Sequence, residues 1–156
     1  MFKEAHACDP RNTGAIVNLG CIDYEFQRYE DAAIAFLDAL EIKPDYAEAL
    51  CNLALALKKT PQYVDYAAIA FEEAINVSPG NTFILSNYML FLLQQKMFDQ
   101  FAKVLIHAKR VMNKDEVDVI VKMQMEFKHA IDGTEGQVLP EDAGKSVGFG
   151  GDSNQL

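Results

Sequence analysis

No stretch of this sequence is apolar enough to cross a membrane as a helix. The longest apolar runs, such as residues 88–93, are far shorter than the roughly 20 residues that a membrane-spanning helix requires. The first six residues, Met1 to His6, lack the apolar core of a secretory signal peptide. We therefore expect a cytoplasmic protein.

Cysteine and basic residues are both scarce. Cys8, Cys21 and Cys51 are an odd number without metal-site spacing, which predicts buried or groove-lining free thiols in a reducing compartment. Lysine and arginine total 14 against 23 acidic residues, for a net charge of −9. Because such a surface repels phosphate backbones, we expect no nucleic-acid partner and favour basic peptides or basic protein surfaces.

The signatures of catalysis are also missing from the sequence. Its three histidines, His6, His107 and His129, lie on separate predicted helices. No glycine-rich phosphate loop, zinc-type cysteine pairing or nucleophile elbow occurs. The sequence therefore predicts a protein that is not an enzyme and has no cofactor and no metal site.

What the sequence has instead is an internal repeat of 34 or 35 residues. Five independent markers keep this interval: Asn18, Asn52 and Asn87; Leu19, Leu53 and Tyr88; Phe2, Phe36 and Phe71; Ala5, Ala39 and Ala74; and Pro10, Pro44 and Pro79. A repeat of this length predicts stacked helical hairpins, each of which buries its apolar face only against its neighbours.

Residues 13–46 carry the clearest unit, with Leu19-Gly20, Tyr29, Ala32, Phe36, Ala39 and Pro44. This pattern resembles the tetratricopeptide repeat (TPR) family, with Ile16 where that family usually has tryptophan. The resemblance implies an all-α fold, a TPR-type solenoid of helical hairpins forming a right-handed superhelix, with a C-terminal capping helix and a disordered tail. We expect Gly20 to be required by close approach of a neighbouring helix, because glycine otherwise costs a helix about 1 kcal/mol.

The predicted organisation follows the repeat. It comprises the second helix of an incomplete preceding repeat (1–12), a TPR repeat (13–46), a repeat with a one-residue insertion near Thr60-Pro61-Gln62 (47–81), a degenerate repeat (82–115), a capping helix (116–131) and a Gly-rich acidic tail (132–156). Because the chain opens in mid-hairpin, we expect either the C-terminal piece of a longer solenoid or an edge covered by another chain. The tail is expected to be disordered or to become ordered only on a partner.

Without catalytic residues, function is expected to depend on shape. In TPR proteins the first helix of each repeat lines a concave groove that holds an extended peptide or a partner helix. Carried onto this sequence, the partner-binding groove positions are Asn18, Cys21, Tyr24 and Glu25, then Asn52, Leu55 and Lys58, then Asn87 and Leu90. The row of asparagines either grips a peptide backbone through its amides or is simply common at this repeat position.

One well-known TPR groove is ruled out by the residues. TPR domains that bind the C-terminal carboxylate of heat-shock chaperones use a Lys/Asn/Asn/Lys/Arg clamp, which would occupy Val17, Cys21, Asn52, Phe83 and Asn87. Only Asn52 fits, and without the cations little would hold a carboxylate. We therefore expect no chaperone clamp.

A narrower resemblance involves the end of the array. Asn87-Tyr88, the apolar run that follows it and the extra turn residue of the second repeat resemble the TPR-containing Bardet–Biedl syndrome subunits of the BBSome. That resemblance implies a subunit of a coat-like assembly, located at the cilium or basal body.

The sequence thus predicts a protein–protein interaction scaffold, and several versions of it remain open. A subunit-packing version expects broad apolar contacts through Phe83, Phe98 and Phe101. A peptide-adaptor version expects binding through Asn52 or Lys58. A third version is a regulatory TPR domain attached to an enzyme that lies upstream.

Overall fold

The structure, a computed structural model, describes residues 12–135. Within that part of the chain it is all-helical and contains no strand. The seven α-helices are α1 (Thr13–Glu25), α2 (Tyr29–Ile42), α3 (Ala47–Leu57), α4 (Val64–Val77), α5 (Thr82–Gln94), α6 (Phe98–Val111) and α7 (Lys114–Glu135), with a 3-10 turn at Pro61–Tyr63. The predicted helix of a preceding repeat falls in residues 1–12, of which 1–11 lie outside the described residues, as do residues 136–156 of the predicted tail.

The helices pair and stack in chain order. The pairs α1–α2, α3–α4 and α5–α6 each form a hairpin, and successive hairpins pack through α2 on α3 and α4 on α5. This arrangement is a TPR-like helical repeat fold, as the sequence predicted. The chain divides after Val117 into two compact units, so the hairpins and most of α7 belong to different units.

Alanines allow the paired helices to approach closely. Ala32 and Ala39 on α2 and their counterparts Ala67 and Ala74 on α4 are completely buried. Phe36 and Phe71 fill the remaining space and are also buried. Because these are the markers that recur along the sequence, their burial confirms the prediction that the repeat encodes helix packing.

Gly20 on α1 packs against the ring of Phe36 on α2. A Cβ placed on it would lie 2.7 Å from Cε1 of Phe36. Real Cβ atoms do not approach other atoms so closely, so only glycine fits opposite this ring without a shift. The expected packing reason for Gly20 is confirmed.

Side chains cap the starts of three helices, α1, α5 and α7. Asn12 Oδ1 accepts a hydrogen bond from the backbone N–H of Ala15 at 3.0 Å, and Asn81 Oδ1 accepts from those of Phe83 and Ile84 at 3.1 and 3.2 Å. Asn113 and Glu116 exchange two bonds at the start of α7, each side chain accepting from the other's backbone N–H. Such caps pair amide groups that the helix itself leaves unbonded.

The turns inside the hairpins differ between repeats. Gln27 and Lys96 each stand two residues before the second helix of their hairpin and adopt a left-handed conformation, with φ of 62° and 59°. Pro61 cannot adopt a positive φ because its ring fixes that angle. The second repeat instead uses the 3-10 turn Pro61–Tyr63, which accommodates its inserted residue.

Two expectations need correction. Phe101 is completely buried, so it fills the core and cannot form the partner contacts that the packing version assigned to it, whereas Phe83 is 62% exposed. Helix α7 starts at Lys114 and continues to Glu135, so the first residues of the predicted tail are helical. Gly133 lies inside this helix, where a single glycine lowers stability without ending the hydrogen-bond pattern.

Candidate functional site

The predicted groove on the first helices of the repeats consists of partly exposed side chains. Asn18 and Glu25 are exposed on α1, whereas Val17 and Cys51, which face the same side in the sequence pattern, are buried. The remaining predicted positions are half-buried: Cys21, Tyr24, Asn52, Leu55, Lys58, Asn87 and Leu90. These residues are accessible in part, and their role in binding remains a prediction.

The structure brings Cys21 and Asn52 together across two repeats. Asn52 Nδ2 donates to Cys21 Sγ at 3.6 Å, which is within range for a bond to sulfur. Asn87 Nδ2 instead donates to the carbonyl of Phe83 one turn earlier, at 2.9 Å. Because the Asn52 and Asn87 amides each donate one bond within the chain, to different acceptors, the recurring asparagines do not present equivalent donors to a peptide.

Burial also governs the ionisable groups on this face. It raises the pKa of the Cys21 thiol, with the charges of Glu48 and Glu25 acting in the same direction. It raises the pKa of Cys51 to about 11 and lowers the pKa of Lys58, beside Lys59. Both thiols are therefore protonated and weakly nucleophilic near neutral pH.

A concave depression lies elsewhere, between the second helices of the first two repeats. We call it the α2–α4 groove. It encloses about 730 Å³, on the scale of the 300–1,000 Å³ typical of ligand pockets. It is lined by Tyr29, Glu30, Ala33, Ile34, Leu37 and Leu40 of α2, by Pro44, by Leu50, Leu53 and Leu57 of α3, by Thr60 and Tyr63 of the turn, and by Tyr66, Ile69, Ala70 and Glu73 of α4.

The walls of the α2–α4 groove expose large apolar side chains. Ile34 and Leu37 on α2 are 57% and 52% exposed, and Tyr66 and Ile69 on α4 are 61% and 53% exposed. A contiguous exposed apolar surface on a soluble fold commonly marks an interaction site. At one end, Gln62 Nε2 of the 3-10 turn donates to Glu30 Oε1 at 3.5 Å.

Sequence reasoning did not find this groove. One signal was present: Ile34 and Ile69 keep the same 35-residue interval as Phe36 and Phe71. Their recurrence indicates that the first two repeats each have a second apolar face on the second helix, in addition to the face that packs on the first helix.

Residues 12–135 meet the requirements of neither a metal site nor a membrane span. Among them, no three His, Cys, Asp or Glu side chains are grouped to hold a metal ion. None of the helices in residues 12–135 is both long and apolar enough to cross a membrane. His107 Nε2 lies 2.7 Å from the carbonyl oxygen of Pro79, so this histidine bonds to the neighbouring inter-repeat turn.

Comparison with known proteins agrees with the fold. Residues 20–60, from the middle of α1 to the turn after α3, match the family model of the TPR repeat. No curated protein matches the sequence.

Among solved structures, the chain is similar to the crystal structure of MamA, with a TM-score of 0.55 and 19% identity over 85% of this chain and 67% of that one. A MamA mutant has a TM-score of 0.55 and 21% identity, covering 74% of this chain and 62% of the other. MamA of AMB-1 has a TM-score of 0.55 and 20% identity, covering 74% and 61%. The chain thus spans about two thirds of the length of these proteins, and the likeness is one of fold.

Proposed function

We propose that this chain is a protein–protein interaction scaffold, a subunit or part of a larger assembly, and that the α2–α4 groove is its principal docking surface. The observation that carries this proposal is the cluster of half-exposed Ile34, Leu37, Tyr66 and Ile69 around one cavity. Burying such side chains against a partner is favourable because each removes apolar surface from water.

The TPR-like fold supports the same function. Stacked hairpins hold their helices rigidly through a buried core, so an exposed face keeps its shape when a partner binds. The match of residues 20–60 to the TPR repeat includes all of α2 and all of α3, which form one wall and the floor of the groove.

Two finer versions are distinguished by where a partner binds. A peptide adaptor using the first helices depends on Asn52 and Lys58, which are half-buried and do not line the α2–α4 groove. A ciliary, BBSome-like subunit is the narrowest version, and its support is the sequence resemblance at Asn87-Tyr88.

The test is co-purification of the tagged full-length gene product from native extract, with quantitative mass spectrometry. Ile69→Glu puts a charge on the groove wall, and Ile106→Glu is the matched control, because Ile106 is 60% exposed on α6 outside the groove. We expect a stoichiometric set of partner proteins that the control retains and Ile69→Glu loses.

Other results would change the proposal. Loss of the same partners on Asn52→Ala or Lys58→Glu, with retention by Ile69→Glu, would assign binding to the first helices. Recovery of known ciliary coat subunits would support the BBSome-like version. A chain that recovers no protein in stoichiometric amount would contradict the scaffold function.

A further inference from the structure

The walls of the α2–α4 groove have the spacing of helix ridges. Ile34 and Leu37 are three residues apart on α2, and Tyr66 and Ile69 are three apart on α4, so each pair projects from one helix face. Ridges of this kind receive the side chains of another helix between them. The shape of the walls therefore favours a helical occupant.

The floor of the groove disfavours an extended peptide. It is built of aliphatic side chains, including Ala33, Leu50, Leu53 and Ala70. An extended peptide would bury backbone N–H and C=O groups against these carbons without partners, which is costly. A helix bonds its own backbone groups and presents only side chains, so it suits this floor.

The helices beside the groove have charge of one sign. Helix α2 contains Glu30, Asp31, Asp38 and Glu41, helix α4 contains Asp65, Glu72 and Glu73, and neither contains a lysine or arginine. Asp38 and Glu41 follow Ile34 and Leu37 by one helical turn, as Glu73 follows Ile69, so acids stand next to the exposed apolar residues.

Four basic residues flank α2 and α4 in sequence, against the seven acids on these helices: Arg28, Lys43, Lys58 and Lys59. Arg28 pairs with Asp23 of α1 and lies over the ring of Phe26 at 5.1 Å. Lys43 lies over the ring of Tyr46 at 4.9 Å. Lys59 precedes the lining residue Thr60 in sequence and is exposed. The field at the groove is therefore dominated by carboxylates.

We propose that the α2–α4 groove binds an amphipathic helix of a partner protein, with apolar side chains on one face and lysine or arginine along both flanks. This inference rests on the proposed scaffold function and specifies its ligand. The walls are each 14 residues long, so they match a partner helix of about 20 Å, or about four turns. Apolar burial supplies the affinity, and the flanking cations select the partner and steer its approach.

Direct binding to designed probes tests the inference on the purified full chain. The first probe is a fluorescein-labelled peptide of about 14 residues with leucines at i, i+3, i+4 and i+7 and lysines flanking them. The second replaces every lysine by glutamate, and the third scrambles the first so that the apolar face is lost. Fluorescence anisotropy measures affinity, and circular dichroism measures the helix gained on mixing.

We expect only the lysine-flanked helix to bind, with helix gained on binding and affinity falling as salt is raised. Ile69→Glu should weaken binding by at least about tenfold, whereas Ile106→Glu should not change it. The double variant Glu30→Lys/Glu73→Lys should weaken binding by about tenfold through lost attraction and new repulsion. The double variant Asp118→Lys/Glu126→Lys on α7 makes the same change in net charge at exposed residues that do not line the groove, and it should have little effect.

Each other outcome overturns the inference. If the glutamate-flanked peptide binds as tightly as the lysine-flanked one, the groove does not select a partner by charge. If the scrambled peptide binds as tightly, the groove does not require an amphipathic helix. Binding that survives Ile69→Glu would place the peptide elsewhere. If no probe binds while native partners are still lost on Ile69→Glu, this inference fails and the scaffold function stands; if neither occurs, both fail.

Discussion

The Cβ position of Gly20 lies 2.7 Å from the ring of Phe36 on the neighbouring helix. We therefore expect Gly20→Ala to destabilise the fold, although alanine is the better helix former. Forcing a methyl group into a filled core costs about 1–3 kcal/mol, which exceeds the gain of about 1 kcal/mol in helix propensity. The net loss should be measurable as a lower urea midpoint.

Gly14 is the matched control on the same helix. A Cβ there would lie 3.4 Å from Asn12 Oδ1, an ordinary contact distance. Gly14→Ala should leave the free energy of unfolding unchanged or raise it by up to about 1 kcal/mol. Equal stability of the two variants would show that Phe36 moves aside without cost.

Tyr88 is buried and its hydroxyl donates to Glu72 Oε1 at 3.0 Å. Burial, the hydrogen bond and the charge of Glu72 raise the pKa of Tyr88 well above its ordinary value. The stabilisation from the neutral hydroxyl is therefore fully present below the ordinary tyrosine pKa of about 10 and is lost as the pH rises above it.

Tyr88→Phe should cost about 0.5–1.5 kcal/mol at neutral pH, the typical net worth of one hydrogen bond. Between neutral and strongly alkaline pH, the Tyr88→Phe variant should lose less stability than the wild type. Urea titrations at several pH values measure this difference. Tyr66→Phe, which removes an exposed hydroxyl, should change stability at neutral pH by less than about 0.5 kcal/mol. If the free energy of unfolding of Tyr88→Phe falls with alkaline pH as steeply as that of the wild type, the prediction is wrong.

Cys51 is buried and its thiol pKa is raised to about 11. Because the thiolate is the reactive form, we expect Cys51 to react with iodoacetamide more slowly in the native chain than in urea at mildly alkaline pH. Cys21 is half-buried and should react faster than Cys51 in the native state. Peptide mapping by mass spectrometry reads each site separately, and rapid native labelling of Cys51 would indicate local opening of α3.

Asn81 caps helix α5 by accepting from two backbone N–H groups. Asn81→Ala should lower stability by about 1 kcal/mol, while Asn81→Asp should retain most of it because a carboxylate also accepts these bonds. Thermal unfolding followed by circular dichroism compares the variants. If aspartate were as damaging as alanine, the contribution of Asn81 would not come from its side-chain acceptor.

The sequence was most informative where one physical requirement recurs in every repeat. Ala39 and Ala74 must be small and Phe36 and Phe71 must be large for hairpins to stack, so spacing alone revealed both the helices and their buried faces. The packing of Gly20 was also predictable, because a mid-helix glycine requires a close neighbour to offset its cost.

The α2–α4 groove and the burial of Phe101 were not predictable from spacing. Ile34 and Phe36 are both apolar residues of one helix, and which of them faces core or solvent depends on how neighbouring hairpins are oriented. Phe101 replaces the small residue of the repeat pattern, yet its ring is accommodated inside the third hairpin. Such outcomes depend on three-dimensional packing rather than on the period.

The 3-10 turn Pro61–Tyr63 has a consequence for how such a surface can change over generations. Gln27 and Lys96 make a tight left-handed turn at the same point of their hairpins, whereas the inserted turn contributes Tyr63 to the groove wall. In a solenoid each repeat contacts only its neighbours, so a loop can lengthen without disturbing the stack. The insertion of a single residue in one repeat can thus change which side chains line a groove, while the stacking of the hairpins is kept.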